Sequence, residues 1–280
     1  MRTGVMLLLI LWMSLSACCG GCGSPVQPYL SQSRLERGFV LVLTGIEGRS
    51  RFNEAIADGL ANGGCPYAIE IYDWTSSWMP LVDQNSPRRN QNKAYDVALR
   101  VARYQLAYPD RPVFLVGQSG GGGMAIWTAE RLHGRRVDGI VLLAASVSPS
   151  YRLDRALAAS RQGIVNFYSE RDMFLLGFGT TVFRTMDGSH SKSAGMVGFA
   201  VPPPPAAYGK LFQVPFHSRM SASGHYGLHV TSGAEGFVRE YVTPILMAGS
   251  WSRRSIDAAV HNAIERTSRE TTSHKPLATK

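Results

Sequence analysis

Short apolar runs alternate with segments of helical periodicity between about Leu35 and Met247. The first run, Phe39–Leu43, is continuously apolar and stops before Gly45, as expected of a strand buried on both faces. Similar strand-like runs occur at 68–72, 113–116, 139–145, 164–168 and 211–216. Helical patterns fall between or after them, at 52–61, 91–107, 120–132, 153–160 and 237–247. This alternation predicts an α/β domain with a mostly parallel central sheet flanked by helices on both faces.

The amino-terminal segment has a different pattern. A positive Met1-Arg2 precedes an apolar run, Val5–Leu15, that is shorter than the roughly twenty residues needed to span a bilayer. The next residues, Leu15-Ser16-Ala17-Cys18, resemble the lipobox of bacterial lipoproteins, in which the cysteine is acylated and becomes the new amino terminus. An ordinary secretory signal cleaved nearby is the alternative.

These patterns predict four parts in the chain. They are a lipoprotein-type signal peptide at 1–17, a lipidated Cys18 with a flexible glycine-rich tether at 18–34, the main domain at 35–250, and a carboxyl-terminal helix with a polar tail at 251–280. Residues 267–280 are mostly polar, and we expect them to lack structure. The expected location is the cell envelope, with the exported protein lipid-anchored to a membrane.

The charge pattern favours an anionic membrane surface over nucleic acid as a partner. The formal net charge is +9, but the basic residues are scattered in short groups without a stripe of interleaved aromatics. Cys19 and Cys22 form a C-x-x-C within the tether, and Cys65 is alone in the main domain. With no histidine or second cysteine pair at ligand spacing, a zinc site is not expected. The sequence is also expected to need no other metal and no organic cofactor.

One motif carries candidate chemistry. Gly117-Gln118-Ser119-Gly120-Gly121 matches G-x-S-x-G, directly after a buried strand and at the start of a helix. This context predicts a tight strand-turn-helix in which Ser119 has a strained backbone conformation. Side chains at Gly117 or Gly121 would collide with the neighbouring strand and helix. The helix beneath Ser119 offers its positive dipole end to developing negative charge.

From about Gly38 to Leu246 the sequence resembles the α/β-hydrolase superfamily, whose members order their catalytic residues as nucleophile, acid and histidine. The resemblance implies the α/β-hydrolase fold, with Ser119 as nucleophile and Asp172, in Ser169-Glu170-Arg171-Asp172, as acid. It also implies His225, in Ser223-Gly224-His225-Tyr226-Gly227, as the histidine, because Gly-His is the common local form around this residue in the superfamily. Glu170 is the alternative acid, and His229 and His217 are alternative histidines.

The resemblance further implies an oxyanion hole formed by backbone N–H groups. Gly120 would supply one donor and Ile46, in the loop after the first buried strand, the other. Many relatives have His-Gly in this loop, whereas this chain has Thr44-Gly45. A Glu47 carboxylate that pointed inward would disfavour an oxyanion, so this loop is where the sequence departs from the superfamily pattern.

The expected function is hydrolysis of carboxylic esters, esterase- or lipase-like, with a small-molecule or lipid-derived substrate. Two alternatives remain open: a non-catalytic envelope lipoprotein on the same scaffold, and an acyltransferase with the same triad. Trp74, Trp78 and Met79 either line a substrate pocket or pack in the core. Residues 174–208, rich in glycine, serine and threonine, form either a lid over the site or a plain insertion.

Overall fold

The computed structural model describes residues 27–75, 86–172, 185–203 and 205–273. The predicted signal peptide, Cys18 and most of the tether lie outside the described residues. So do Trp78, Met79 and residues 174–184 of the candidate lid.

Six strands form one sheet in which every neighbouring pair is parallel. Their bounds are β1 Phe39–Leu43, β2 Ala68–Tyr72, β3 Val113–Gln118, β4 Gly139–Leu143, β5 Ile164–Tyr168 and β6 Leu211–Pro215. The spatial order is β2-β1-β3-β4-β5-β6. All six strands predicted from the apolar runs are present, and each end falls within two residues of its predicted position.

Helices connect the strands and cover both faces of the sheet. They are α1 Gln32–Leu35, α2 Arg51–Asn62, α3 Pro87–Ala107, α4 Gly120–Glu130, α5 Asp154–Ala158, α6 Ala194–Val197, α7 Glu235–Phe237, α8 Thr243–Leu246 and α9 Arg253–Ser273. A π-helical turn, Val238–Val242, joins α7 to α8, so the predicted closing helix is one helical stretch with a π-bulge. Short 3₁₀ helices occur at Pro205–Tyr208, Ser218–Ser223 and His229–Thr231.

The apolar core has two layers, one on each face of the sheet. In β1, Phe39, Leu41 and Leu43 belong to one layer. Val40 and Val42 belong to the other. Side chains alternate between the two faces of a strand, so a run that is apolar at every position is what a sheet covered on both sides requires.

The carboxyl-terminal helix corrects one expectation. Residues 267–273 were expected to lack structure, but α9 continues through them to Ser273. Ile256 and Ala263, two turns apart, are fully buried in the core layer that contains Val40. Thr267, a further turn along, donates its hydroxyl to the Ala263 carbonyl at 3.0 Å. The buried stripe is thus narrow and partly polar, so composition alone did not reveal it.

Because all strands are parallel, their carboxyl ends meet at one edge of the sheet, where open α/β sheets place their functional loops. We call this the carboxyl edge. The loops after β1, β3, β5 and β6 all begin there. Within the described residues, no helix is both long enough and apolar enough to cross a bilayer.

Candidate active site

Ser119 occupies the sharp turn between β3 and α4. Its backbone has φ 56° and ψ −122°, a left-handed conformation that is costly for a residue with a side chain. The surrounding chain holds this conformation, because the Ser119 N–H donates to the Leu143 carbonyl and the Ser119 carbonyl accepts from the N–H groups of Gly122 and Ser146, each at 3.0 Å. The predicted strained turn is confirmed.

The glycines that flank Ser119 are required by close backbone approach. A Cβ on Gly117 would overlap the backbone of Gly121, and a Cβ on Gly121 would overlap the carbonyls of Leu43 and Thr44 at the end of β1. The collision expected from the sequence is therefore confirmed. The tight packing lets α4 start directly behind the serine, with its positive dipole end toward Ser119.

Asp172 follows β5 and is 3% exposed. Its N–H donates to the Ser169 carbonyl at 2.9 Å, which closes a turn over Ser169-Glu170-Arg171-Asp172. The N–H of Ser169 in turn donates to the carbonyl of Gly195. Glu170, the alternative acid, is exposed to solvent. The fold thus buries the Asp172 carboxylate and leaves that of Glu170 in solvent.

The histidine that joins Ser119 to Asp172 is His229, and the prediction of His225 is wrong in this geometry. His229 Nε2 lies 2.8 Å from Ser119 Oγ. His229 Nδ1 lies 3.0 and 3.1 Å from the two carboxylate oxygens of Asp172. The sequence had left His229 open as an alternative, four residues beyond the position that matched the common Gly-His form.

His225 has a different environment in the same loop. Its ring packs edge-on to Phe216, with ring centroids 5.1 Å apart, and tilted against Phe237 at 4.5 Å. Its Nδ1 lies 3.2 Å from Thr231 Oγ1. Burial lowers the pKa of His225 to about 4, so the ring is neutral near pH 7. His225 therefore anchors the loop that carries His229. His217, the third candidate, is exposed at the start of a 3₁₀ helix.

The polarity of this chain of hydrogen bonds follows from the groups involved. A carboxylate only accepts, so His229 Nδ1 donates to Asp172, which leaves Nε2 as the acceptor for the Ser119 hydroxyl. Ser119, His229 and Asp172 are each less than 10% exposed. In this alignment the imidazole can take the serine proton as the hydroxyl attacks a carbonyl, while the carboxylate holds the imidazole in place.

Solved structures provide the comparison with known proteins. The sequence itself matches no protein-family model and no curated protein. The structure resembles lipase B of Aspergillus fumigatus, with a TM-score of 0.54 and 11% sequence identity over 84% of this chain and 59% of the lipase. With the six parallel strands and the strained serine turn, this likeness decides the architecture. This is the α/β-hydrolase fold. The chain spans about three-fifths of the length of that lipase.

Two other solved structures have weaker similarity to this chain. The esterase domain of a Rhodothermus marinus protein has a TM-score of 0.41 and 16% identity, covering 76% of this chain and 86% of that domain. A cutinase-like protein from a Cryptococcus species has a TM-score of 0.40 and 12% identity, covering 84% of this chain and 98% of its own.

The α/β-hydrolase fold places the two predicted oxyanion-hole residues side by side. A Cβ on Gly120 would lie 2.9 Å from Ile46 Cγ2, so the loop after β1 covers the first turn of α4. The Gly120 N–H belongs to that first turn, where α-helices leave N–H groups without intrahelical acceptors. These positions suit backbone donors to a developing oxyanion, and the role itself remains a prediction.

Glu47 and Thr44, the departures from the superfamily pattern, both lie in the loop after β1. Glu47 is exposed, and its Oε1 lies 3.4 Å from Ser50 Oγ and 3.5 Å from Asn53 Nδ2, at the start of α2. A carboxylate there is favourable because it complements the helix dipole. The Thr44 carbonyl accepts a hydrogen bond of 2.7 Å from the Trp74 indole, which fixes the loop.

Apolar side chains surround Gly120. Trp74 is buried, and its Cζ2 lies 3.4 Å from the position of a Gly120 Cβ; Met186 Sδ lies 3.3 Å from it. The Met186 N–H is held by the Ser146 carbonyl at 2.8 Å. Of the two alternatives for Trp74, pocket lining or core packing, the structure shows core packing, because Trp74 is buried in the core layer that contains Phe39. Met186 was missed because it lies in a stretch with no periodic apolar pattern.

Within the described ranges, no group of three or more histidine, cysteine, aspartate or glutamate side chains is arranged to hold a metal ion.

Proposed function

We propose that this protein is a serine hydrolase of carboxylic esters, with Ser119 as nucleophile, His229 as general base and acid, and Asp172 as the group that orients the imidazole. The observation that carries the proposal is the continuous hydrogen-bonded path from Asp172 through His229 to Ser119 Oγ, at a serine whose backbone has φ 56°. The lipase, esterase and cutinase-like names among the similar structures are consistent with this class of substrate.

In the proposed reaction, Ser119 Oγ attacks the ester carbonyl while His229 Nε2 takes the hydroxyl proton. The backbone N–H groups of Gly120 and Ile46 stabilise the oxyanion that develops on the carbonyl oxygen. His229 then gives its proton to the departing alcohol, which leaves an acyl group on Ser119. Water, activated by the same imidazole, releases the carboxylic acid. The apolar side chains of Ile46, Trp74 and Met186 around Gly120 lower the local dielectric and strengthen these charge interactions.

We further propose that the protein acts at the cell envelope, held by a lipid on Cys18. The support is the sequence pattern Leu15-Ser16-Ala17-Cys18 after an apolar run of signal-peptide length. Mass spectrometry of the protein isolated from membranes would test this, since acylation at Cys18 predicts a diacylglyceryl adduct on a peptide that begins at this residue.

The two histidines of one loop provide the test of the catalytic assignment. We expect a fluorophosphonate probe, which labels only activated serines, to label the protein, and we expect labelling to be lost in Ser119→Ala and in His229→Ala. Loss of either member removes the activated nucleophile, which typically costs about 10⁴-fold or more in rate. His225→Asn is the matched control, four residues away in the same loop, and it should still be labelled.

Circular dichroism of each variant separates loss of the nucleophile from loss of the fold. Labelling that persists in a folded His229→Ala variant but is lost in His225→Asn would return the assignment to His225. A folded protein that the probe never labels would remove the hydrolase proposal.

A further inference from the structure

Exposed apolar side chains surround the candidate histidine. In the loop 225–230, the side chains of Tyr226, Leu228 and Val230 are 55%, 45% and 47% exposed, while those of His225 and His229 are buried. The loop thus alternates between residues that face the interior and large apolar residues that face solvent. Single exposed apolar residues need no explanation, but three at alternate positions around one candidate catalytic residue form a patch.

Helix α2 packs beside this loop and carries a further exposed apolar residue. Phe52, in its first turn, is 43% exposed. The turn that follows His229 packs on this helix, because a Cβ on Gly233 would lie 3.0 Å from Ile56 Cδ1 and 3.5 Å from the Phe52 carbonyl. We call Phe52, Tyr226, Leu228 and Val230 the apolar rim. It lies at the carboxyl edge of the sheet, beside the serine turn.

The amino-terminal part of the chain joins the domain on the same side. The Gln27 side chain is hydrogen-bonded to both the N–H and the carbonyl of Ile71, near the carboxyl end of β2. Two residues later, the Tyr29 hydroxyl donates to Asp58 of α2 at 2.8 Å. Helix α2 therefore contacts both the incoming chain and the loop that carries His229. Cys18 precedes Gln27 by nine residues, which span at most about 30 Å when fully extended.

We propose that the apolar rim docks on a lipid bilayer surface and that the substrate esters reside in that surface. This inference rests on the proposed ester hydrolase function and names its substrate class. A tether at Cys18 holds the carboxyl edge within reach of the membrane, and the rim residues insert their apolar side chains among the lipids. The mouth of the site then opens onto the bilayer, so an ester can pass from lipid to Ser119 without crossing water.

The opposite edge of the sheet carries a competing surface. A cavity of about 400 Å³ there is lined by Arg111, Arg135, Arg136 and Arg161, together with Asp110. Of these arginines, Arg161 is paired with Asp138. Attraction to anionic lipid at this edge would turn Ser119 away from the membrane. The two surfaces therefore predict opposite orientations, which an experiment can distinguish.

The first test measures the hydrolysis of two esters by the full chain, which carries its own anchor and is bound to phosphatidylglycerol-containing vesicles. One ester is a long-chain ester dissolved in the bilayer, and the other is a short water-soluble ester. In Leu228→Asp and Val230→Asp, we expect the ratio of bilayer to soluble hydrolysis to fall about tenfold or more, because a charge replaces an apolar group that enters lipid. Leu106→Asp, at a residue 67% exposed on α3 near the opposite edge, is the matched control and should leave the ratio unchanged.

An unchanged ratio in both rim variants would overturn the proposal. A wild-type protein that hydrolyses neither ester would instead contradict the proposed function. The second test does not depend on activity, so it distinguishes a failure of the docking proposal from a failure of the proposed hydrolase function.

The second test is hydrogen exchange of the Ser119→Ala chain in the same vesicles and in detergent. Docking predicts that amides 226–230 exchange more slowly in vesicles, and that adding Leu228→Asp removes this difference. Protection of residues 134–136 instead would assign the membrane side to the arginines and overturn the proposal. Protection of 226–230 that grows with protein concentration in detergent would identify a second copy of the chain as the occupant, and would overturn it equally.

Discussion

At the scale of single residues, Asp172 and Glu170 illustrate how two carboxylates in one turn acquire different roles. Asp172 is buried against His229, whereas Glu170 is exposed. Asp172→Asn would keep the shape of the side chain but remove the acceptor that fixes the His229 tautomer. We expect kcat for a soluble ester to fall by about 10³–10⁴-fold. Steady-state kinetics at neutral pH would measure it.

Glu170→Gln is the matched control for that measurement, because the same chemical change is made two residues away on the surface. We expect its kcat to stay within about twofold of the wild type. A large loss in Glu170→Gln with normal activity in Asp172→Asn would reverse the assignment of the acid.

His225 gives a second prediction at this scale, about stability and pH. Burial lowers its pKa to about 4 from the ordinary value near 6.5, so the unfolded chain binds this proton more tightly than the folded protein does. The contribution of the neutral ring to stability is complete above pH 6.5 and is lost as the pH falls toward 4. We expect this residue to remove about 3 kcal/mol from the free energy of unfolding across that interval.

Urea unfolding at several pH values, for wild type and His225→Asn, would measure this contribution. Carboxylates titrate in the lower part of the same interval, so the informative quantity is the difference between the two proteins. The stability advantage of the wild type should shrink as the pH falls from 6.5 to 4. Parallel pH curves for the two proteins would mean that His225 is not the group responsible.

At the scale of elements, the serine turn depends on how closely α4 approaches the end of β1. A Cβ on Gly121 would overlap two backbone carbonyls, those of Leu43 and Thr44, which cannot rotate away as a side chain could. We expect Gly121→Ala to lower the free energy of unfolding by about 2–4 kcal/mol and to abolish fluorophosphonate labelling. Thermal unfolding and the labelling assay would measure the two effects.

Gly249 provides the control for this substitution. It lies between α8 and α9, with no atom within 4 Å of the position of an added Cβ. Gly249→Ala should change the stability by no more than about 0.5 kcal/mol. Equal losses in the two variants would show that the close packing of α4 on β1 is not what makes Gly121 necessary.

At the scale of the whole molecule, Cys65 reports on the opening of the fold. Its side chain is 1% exposed between α2 and β2, and burial raises the pKa of the thiol to about 11. Both effects suppress the thiolate that reacts with alkylating reagents. We expect the native protein at pH 8 to be modified at Cys65 at least about 10³-fold more slowly than the unfolded chain.

Mass spectrometry of the Cys65 peptide over a urea series would follow this reaction, with Cys65→Ser as the blank for the other cysteines. The modification rate should rise together with the loss of circular dichroism, since Cys65 becomes accessible when the core opens. Rapid modification without denaturant would indicate local opening between α2 and β2.

Much of the architecture follows from the sequence alone, because the signals that encode it are local. Runs such as Phe39–Leu43 are apolar at every position because both faces of the sheet are covered, and this pattern is visible without a structure. The serine turn is equally local, since glycines at 117 and 121 with Ser119 between strand and helix already specify the close approach. The resemblance to the α/β-hydrolase superfamily pointed to the turn after β5 as the source of the acid, but burial in the folded structure is what separates Asp172 from the alternative Glu170.

The histidine could not be identified from the sequence, because the choice is made by packing. His225 and His229 lie four residues apart in one loop, and the Gly-His form favours the former. Only the folded structure reveals that His225 fits between Phe216 and Phe237 while His229 reaches Asp172 and Ser119. Met186 likewise reaches the site through a tertiary hydrogen bond to Ser146, with no local signal. The sequence therefore determines the helices and strands and the turn that presents Ser119. Tertiary packing decides which distant side chains contact Ser119. Contacts between loops depend on three-dimensional geometry, which no periodic pattern in the sequence encodes.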